Sequence, residues 1–191
     1  MNPSGASSLL QHLGWTVPDG ERVQHPLEGW WTSDEALTAA ATTLRQFHDA
    51  QADYEPPPTA TWSEWFADWP ARKHPVICHN QFGPAHAVRR PDGTLAMADF
   101  DLVAPGPRLL DVAYSAWAWE CDRPRRLRLF SDVYGLSPTQ RTRLVKAIRR
   151  RVVKEIEIVK RGGPRPAERP LVRSLRALDF ERHLLEQAVQ S

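Results

Sequence analysis

The chain changes its hydrophobic period in one place only, between residues 75 and 101. On either side of that window apolar residues recur at helical spacing; inside it they form short runs suited to strands. Val76-Ile77-Cys78 predicts a short buried strand. Ala87-Val88-Arg89 and Thr94-Leu95-Ala96-Met97-Ala98 flank Arg90-Pro91-Asp92-Gly93, whose Asp-Gly step predicts a hairpin turn. A polar loop from His79 to His86 therefore joins one strand to a hairpin, and the hairpin delivers Asp99-Phe100-Asp101 at its exit. With so little strand elsewhere, the fold class is α+β and mostly helical.

The helices announce themselves locally. Ser33 is placed as an N-cap, with Asp34 and Glu35 in the first turn and Leu37, Ala40, Ala41, Leu44 and Phe47 on one face, which predicts a helix over about 34–51. Pro56-Pro57-Pro58 breaks the pattern. Trp62, Trp65, Phe66 and Trp69 then share a face of a short helix ending before Pro70, and are read as core. Ser137-Pro138-Thr139-Gln140 has the form of a capping box with proline at the first helical position. The stripe Leu144, Val145, Ile148, Val152, Ile156 and Val159 carries that helix to about 160, with Arg141, Arg143, Lys146, Arg149, Arg150 and Lys154 mainly off it. Gly162-Gly163-Pro164 ends it, and a last helix is expected over about 171–188. Residues 1–32, punctuated by Gly14, Pro18, Asp19-Gly20, Pro26 and Gly29, hold at most a short helix and a strand pair.

At 191 residues and 41% hydrophobic content there is material for one core. No apolar run approaches the roughly 18–20 residues of a membrane helix, and the start lacks the features of a signal peptide, so a cytoplasmic protein with no membrane partner is expected. Cys78 and Cys121 stand far apart, which gives neither a disulfide framework nor a zinc knuckle; both are expected to be reduced and buried. The formal charge of +2 hides an asymmetry: residues 1–122 hold 7 basic against 16 acidic side chains, residues 123–191 hold 18 against 7. The basic third either attracts an acidic partner or nucleic acid, or is a solvated helix face beside an acidic site on the same domain. The helix near 141–161 lacks interleaved aromatics, so nucleic acid is not expected as a partner.

A loop followed by a hairpin that returns two aspartates is a geometry used for phosphoryl transfer, in which carboxylates hold magnesium over the phosphates. The segment His79-Asn80-Gln81-Phe82-Gly83-Pro84-Ala85-His86, then Met97-Ala98-Asp99-Phe100-Asp101, then Ala104-Pro105-Gly106-Pro107-Arg108-Leu109-Leu110-Asp111-Val112-Ala113-Tyr114 together resemble the aminoglycoside phosphotransferase, or choline-kinase-like, family. Leu44 to Ala50 and Tyr134-Gly135-Leu136 echo it further. The resemblance implies the larger, C-terminal lobe of a protein-kinase-like fold over residues 33–191, with residues 1–32 a remnant of the N-terminal lobe and hinge. It also implies ATP or GTP with Mg²⁺ or Mn²⁺ as cofactors.

Residue by residue, the resemblance assigns the catalytic-base position to Gln81, a neutral amide that cannot accept a proton. It assigns the magnesium-ligating amide position to His86, whose imidazole suits manganese or zinc better than magnesium. Asp99 and Asp101 match the metal-binding segment, His79 a histidine that braces the loop, and Asp111 a loop-supporting aspartate. His86 has three readings: a surface loop residue, a substitute metal ligand, or a replacement base. Asp99 has a second reading as the cap of the next turn. A zinc site from Cys78, His79, His86 and Asp99 is disfavoured, because adjacent residues at a strand end point to opposite faces. None of the four lysines precedes the first long helix, no glycine-rich loop stands in front, and Arg22 reads as an exposed turn residue. Two functions follow: a degenerate kinase fold that binds a small molecule, peptide or partner protein as an immunity, scaffold or accessory component, or an ATP- or GTP-dependent O-phosphotransferase acting on a small hydroxylated molecule.

Overall fold

The computed structural model describes all residues except 1–3, 17–18, 24–26, 67–75, 120–123, 164–167 and 191. Its order is α1 (Ser4–Leu13), β1 (Glu21–Arg22), α2 (Asp34–Asp49), β2 (Val76–Cys78), β3 (Ala87–Arg89), β4 (Leu95–Met97), β5 (Ala104–Gly106), α3 (Arg108–Ala118), α4 (Pro124–Tyr134), α5 (Pro138–Lys160) and α6 (Glu168–Gln190). The fold is the mostly helical α+β arrangement expected from the sequence. The helix predicted over 34–51 is α2, and the Ser33 hydroxyl caps it by accepting from the Ala36 amide at 3.1 Å. The Ser137–Gln140 capping box is reciprocal, as its sequence form requires. The hairpin turns where Asp-Gly predicts: Gly93 takes a φ of +83°, and Asp92 Oδ1 accepts from the Thr94 amide and hydroxyl.

Strand pairing makes two small antiparallel ladders. β1, β3 and β4 form one, with Arg22 opposite Val88 and Val88 opposite Ala96; β2 pairs with β5 in the other, with Ile77 opposite Pro105. β5 lies outside the window in which strands are expected, and a proline inside a run argues against a strand. A two-stranded ladder consists only of edges, so Pro105 needs no inward amide there. Gly20 brings β1 against β3: a Cβ at this position would lie 2.6 Å from the Arg89 carbonyl oxygen.

Helices bury their apolar stripes against one another in the pairs α5–α6, α3–α5, α2–α4 and α4–α6, while α2 also lies against β4. Leu37, Leu44, Phe47, Phe82, Met97, Leu127, Phe130 and Leu144 form part of the continuous core. Three expectations need correction. Residues Glu64–Phe66 make a single 3-10 turn, not a helix, with Phe66 buried; Trp69 and Pro70 lie outside the described residues, as do Cys121 and Pro164. Lys154, read as lying off the apolar stripe, is buried. Arg22, read as a turn residue, belongs to β1 and is an ion-pair partner. No described helix is long and apolar enough to cross a membrane.

Candidate functional site

The loop 79–86 is shaped from below by one carboxylate. Asp111, in the first turn of α3 and fully buried, accepts from the His79 amide through Oδ2 and from the Asn80 amide through Oδ1, each at 2.8 Å. Its Oδ2 also meets His48 Nε2 at 3.0 Å, and His48 Nδ1 meets the Tyr134 hydroxyl at 2.7 Å. A carboxylate can only accept, so His48 carries its proton on Nε2, and Nδ1 accepts from the tyrosine. Burial holds His48 below the usual histidine range despite Asp111 beside it. Burial alone would raise the Asp111 carboxyl; the His48 hydrogen bond, the nearby histidine rings and the Asn80 amide outweigh it and keep its pKa below the ordinary carboxylate value. The pair is therefore a neutral imidazole donating to an ionised carboxylate.

Asn80 sits in the left-handed region with φ +65°, a conformation tolerated by asparagine when its polar groups are engaged. Its amide side chain donates to the Leu102 carbonyl at 2.9 Å, and its own carbonyl accepts from Arg151 Nη2 at 2.6 Å. Arg151 reaches it from α5 fully buried, paired with Glu155 and lying over the rings of Phe66 and Tyr114. Sequence reading missed this arginine. The available signal was its place three residues after Ile148 and seven after Leu144, on the apolar stripe itself.

The loop is also tied to the acidic segment. His79 Nε2 donates to the Ala98 carbonyl at 3.0 Å, leaving Nδ1 to accept from the Gln81 amide at 3.3 Å. Both ring nitrogens are thus committed in the neutral form, and burial takes the pKa down to about 4. Neither is left for zinc. Gln81, buried at the position the resemblance gives to the catalytic base, turns its side-chain amide onto the Asp99 carbonyl. Asp99 is the second non-glycine residue with positive φ among the described residues, at +61°. Its carboxylate points outward and forms an ion pair with Arg22 at 3.2 Å, the two side chains being 42% and 50% exposed.

Asp101 is exposed and His86 half-buried; the His86 carbonyl accepts from the Ala98 amide at 3.0 Å and so extends the β3–β4 ladder. Among the described residues no group of three or more His, Cys, Asp or Glu side chains stands where it could hold a metal ion. Asp99, Asp101 and His86 are therefore not a preformed ligand set, and a guanidinium already engages Asp99. A cation approaching the Asp99 carboxylate would meet the Arg22 guanidinium. A groove of about 680 Å³ opens elsewhere, between the outer face of α2, the hairpin turn and α4, lined by Thr38, Thr42, Gln46, Arg90, Thr94 and Arg125 among others. The loop 79–86 does not line it.

Residues 16–144 match the model of the phosphotransferase enzyme family, and this span contains the loop, the acidic segment and Asp111. The chain belongs to that family. The trifolitoxin immunity protein of Rhizobium leguminosarum bv. trifolii is 31% identical over 139 residues, which cover 64% of this chain and 52% of that protein. The chain thus spans about half the length of this curated relative. Among solved structures, an ethanolamine kinase of Plasmodium vivax aligns over 96% of this chain and 59% of its own, at a TM-score of 0.39 and 8% identity, a likeness too loose to build on.

Proposed function

We propose that this chain is a degenerate member of the phosphotransferase family that binds a small molecule, peptide or partner protein and does not transfer phosphate. The observation that carries this reading is the Gln81 side chain. Where the family resemblance asks for a base facing an acceptor hydroxyl, the chain has an amide that donates inward to the Asp99 carbonyl. Loss of a general base alone commonly removes about 10²–10⁴ of rate. The cation pairing at Asp99 adds to it, because it opposes the divalent metal through which ATP or GTP would be held. An immunity or accessory role is supported by the relative that shares 31% identity and is named for immunity, not for a kinase activity. A cytoplasmic setting suits the buried, unpaired thiol of Cys78.

The test is single-turnover transfer from radiolabelled ATP and GTP, with Mg²⁺ or Mn²⁺, to aminoglycosides and other hydroxylated acceptors. The expected result is no transfer above background. Robust transfer would establish the other reading, an O-phosphotransferase on a small hydroxylated substrate.

A further inference from the structure

The acidic segment already contains a cation, supplied by the chain itself. Arg22 Nη1 stands 3.2 Å from Asp99 Oδ2. Its position is built by several independent contacts. Gly20 lets β1 approach the Arg89 backbone, the Arg22–Val88 pair sets the register, and Glu21 on the other side pairs with Arg89 at 3.2 Å while accepting from the Trp31 indole at 3.4 Å. The carboxylate end is equally fixed. Asp99 has a left-handed backbone, with its carbonyl held by Gln81 and the preceding carbonyl held by His79.

We propose that Arg22 replaces the divalent metal at Asp99: a guanidinium fixed on β1 neutralises the carboxylate, and the acidic segment works without a bound cation. This deepens the reading of the chain as a degenerate phosphotransferase and rests on it. Two physical effects act together. Arg22 stands at hydrogen-bond distance from Oδ2, an oxygen that a metal would use, and its positive charge repels a dication at the same carboxylate. Asp101 nearby cannot compensate alone, since hard cations of this kind are held by several oxygens.

The experiment is calorimetric titration of the full chain with MnCl₂, with no nucleotide present. Wild type is expected to bind in the millimolar range or more weakly, and Asp99→Asn is expected to leave that value unchanged. Arg22→Gln, which keeps a polar side chain of similar reach and removes the charge, is expected to bind Mn²⁺ at least tenfold more tightly. The gain should vanish in Arg22→Gln/Asp99→Asn. Arg149→Gln, which removes a surface charge paired with Asp179 and takes no part in placing β1, should give no such gain. Mn²⁺ should correspondingly raise the melting temperature of Arg22→Gln only. The proposal is overturned if Arg22→Gln gains less than tenfold over wild type, if neither binds, or if Arg149→Gln gains as much. Tight Mn²⁺ binding by a wild type that transfers no phosphate would remove this inference and leave the proposed function standing; transfer by the wild type would remove the proposed function.

Discussion

Gln81 and Asp99 are joined by a hydrogen bond in which the side-chain amide of the first donates to the main-chain carbonyl of the second. The loop and the acidic segment are thereby fastened through the residue that the family resemblance assigns to catalysis. Restoring an aspartate at this position would remove the donor, shorten the side chain by one methylene, and set a carboxylate in a buried site facing a carbonyl oxygen. Gln81→Asp is expected to cost about 1–3 kcal/mol of stability, the range for an unsatisfied buried polar group. Gln81→Asp/His86→Asn is expected to show no turnover. Thermal melts and single-turnover ATP assays check the two halves; a stable, active double variant would show that the fastening is dispensable.

Asp111 gathers donors from three residues in a fully buried place. Asp111→Ala strands the His79 and Asn80 amides and His48 Nε2 together, and about 3–5 kcal/mol of stability should be lost. Urea unfolding followed by tryptophan fluorescence measures this. A loss under about 1 kcal/mol would mean that water replaces the carboxylate.

The pH dependence has a definite sign. His79 and His48 are both held below the ordinary histidine value of 6.5, His79 at about 4, so the unfolded chain binds protons that the folded chain refuses. Stability is fully present above pH 6.5 and falls as pH drops from there toward 4. His79 alone accounts for about 3 kcal/mol across that window by the linkage relation. The depressed Asp111 carboxyl adds a further loss below its ordinary value of 3.8. Urea midpoints measured from pH 7.5 to 4 should decline, and a flat profile would contradict the neutral assignment of both rings.

Arg151 and Glu155 form a buried pair on successive turns of α5. Arg151→Ala withdraws the guanidinium from Glu155 and from the Asn80 carbonyl, with an expected cost of about 3–5 kcal/mol. Arg151→Met/Glu155→Leu should recover most of it by replacing both charges with apolar volume. If the double variant is as unstable as the single, the hydrogen bond to Asn80 is the dominant contribution. Denaturant titration of the set decides.

Gly20→Ala tests the approach of β1 to β3. The new methyl would meet a main-chain oxygen at 2.6 Å, so the strands must part, at about 1–3 kcal/mol. A lowered melting temperature is expected.

The features legible in the sequence were those whose signals are local. Ser33, the Ser137–Gln140 box, the Asp-Gly turn and the apolar stripe of α5 each act within a few residues of themselves, and each stands where its pattern puts it. The order of loop, hairpin and acidic segment was legible for the same reason. What could not be read depends on meetings at long range. A two-residue β1 has no period, and Arg22 finds Asp99 77 positions away. His48 lay in a segment noted only as an echo of the family, and its bond to Asp111 spans 63 positions. Arg151 was missed because an arginine is assigned to solvent by default, a habit that fails when an acid one turn on and two aromatic faces neutralise and cover it.

The network around Asp111 also dictates when the loop acquires its shape during synthesis. Its participants come from positions 48, 79, 80 and 111, and through His48 it extends to Tyr134, 86 residues from its partner. Arg151 then grips the Asn80 carbonyl from a point 71 residues downstream. A ribosome that has released the chain through β5 has released every residue of the loop, together with His48 and the Ala98, Asp99 and Leu102 carbonyls, but not Asp111, Tyr134 or Arg151. The main-chain amide of Asn80 is held from α3 and its carbonyl from α5, so the segment bearing the family's motif gains its last contact late although its residues emerge midway.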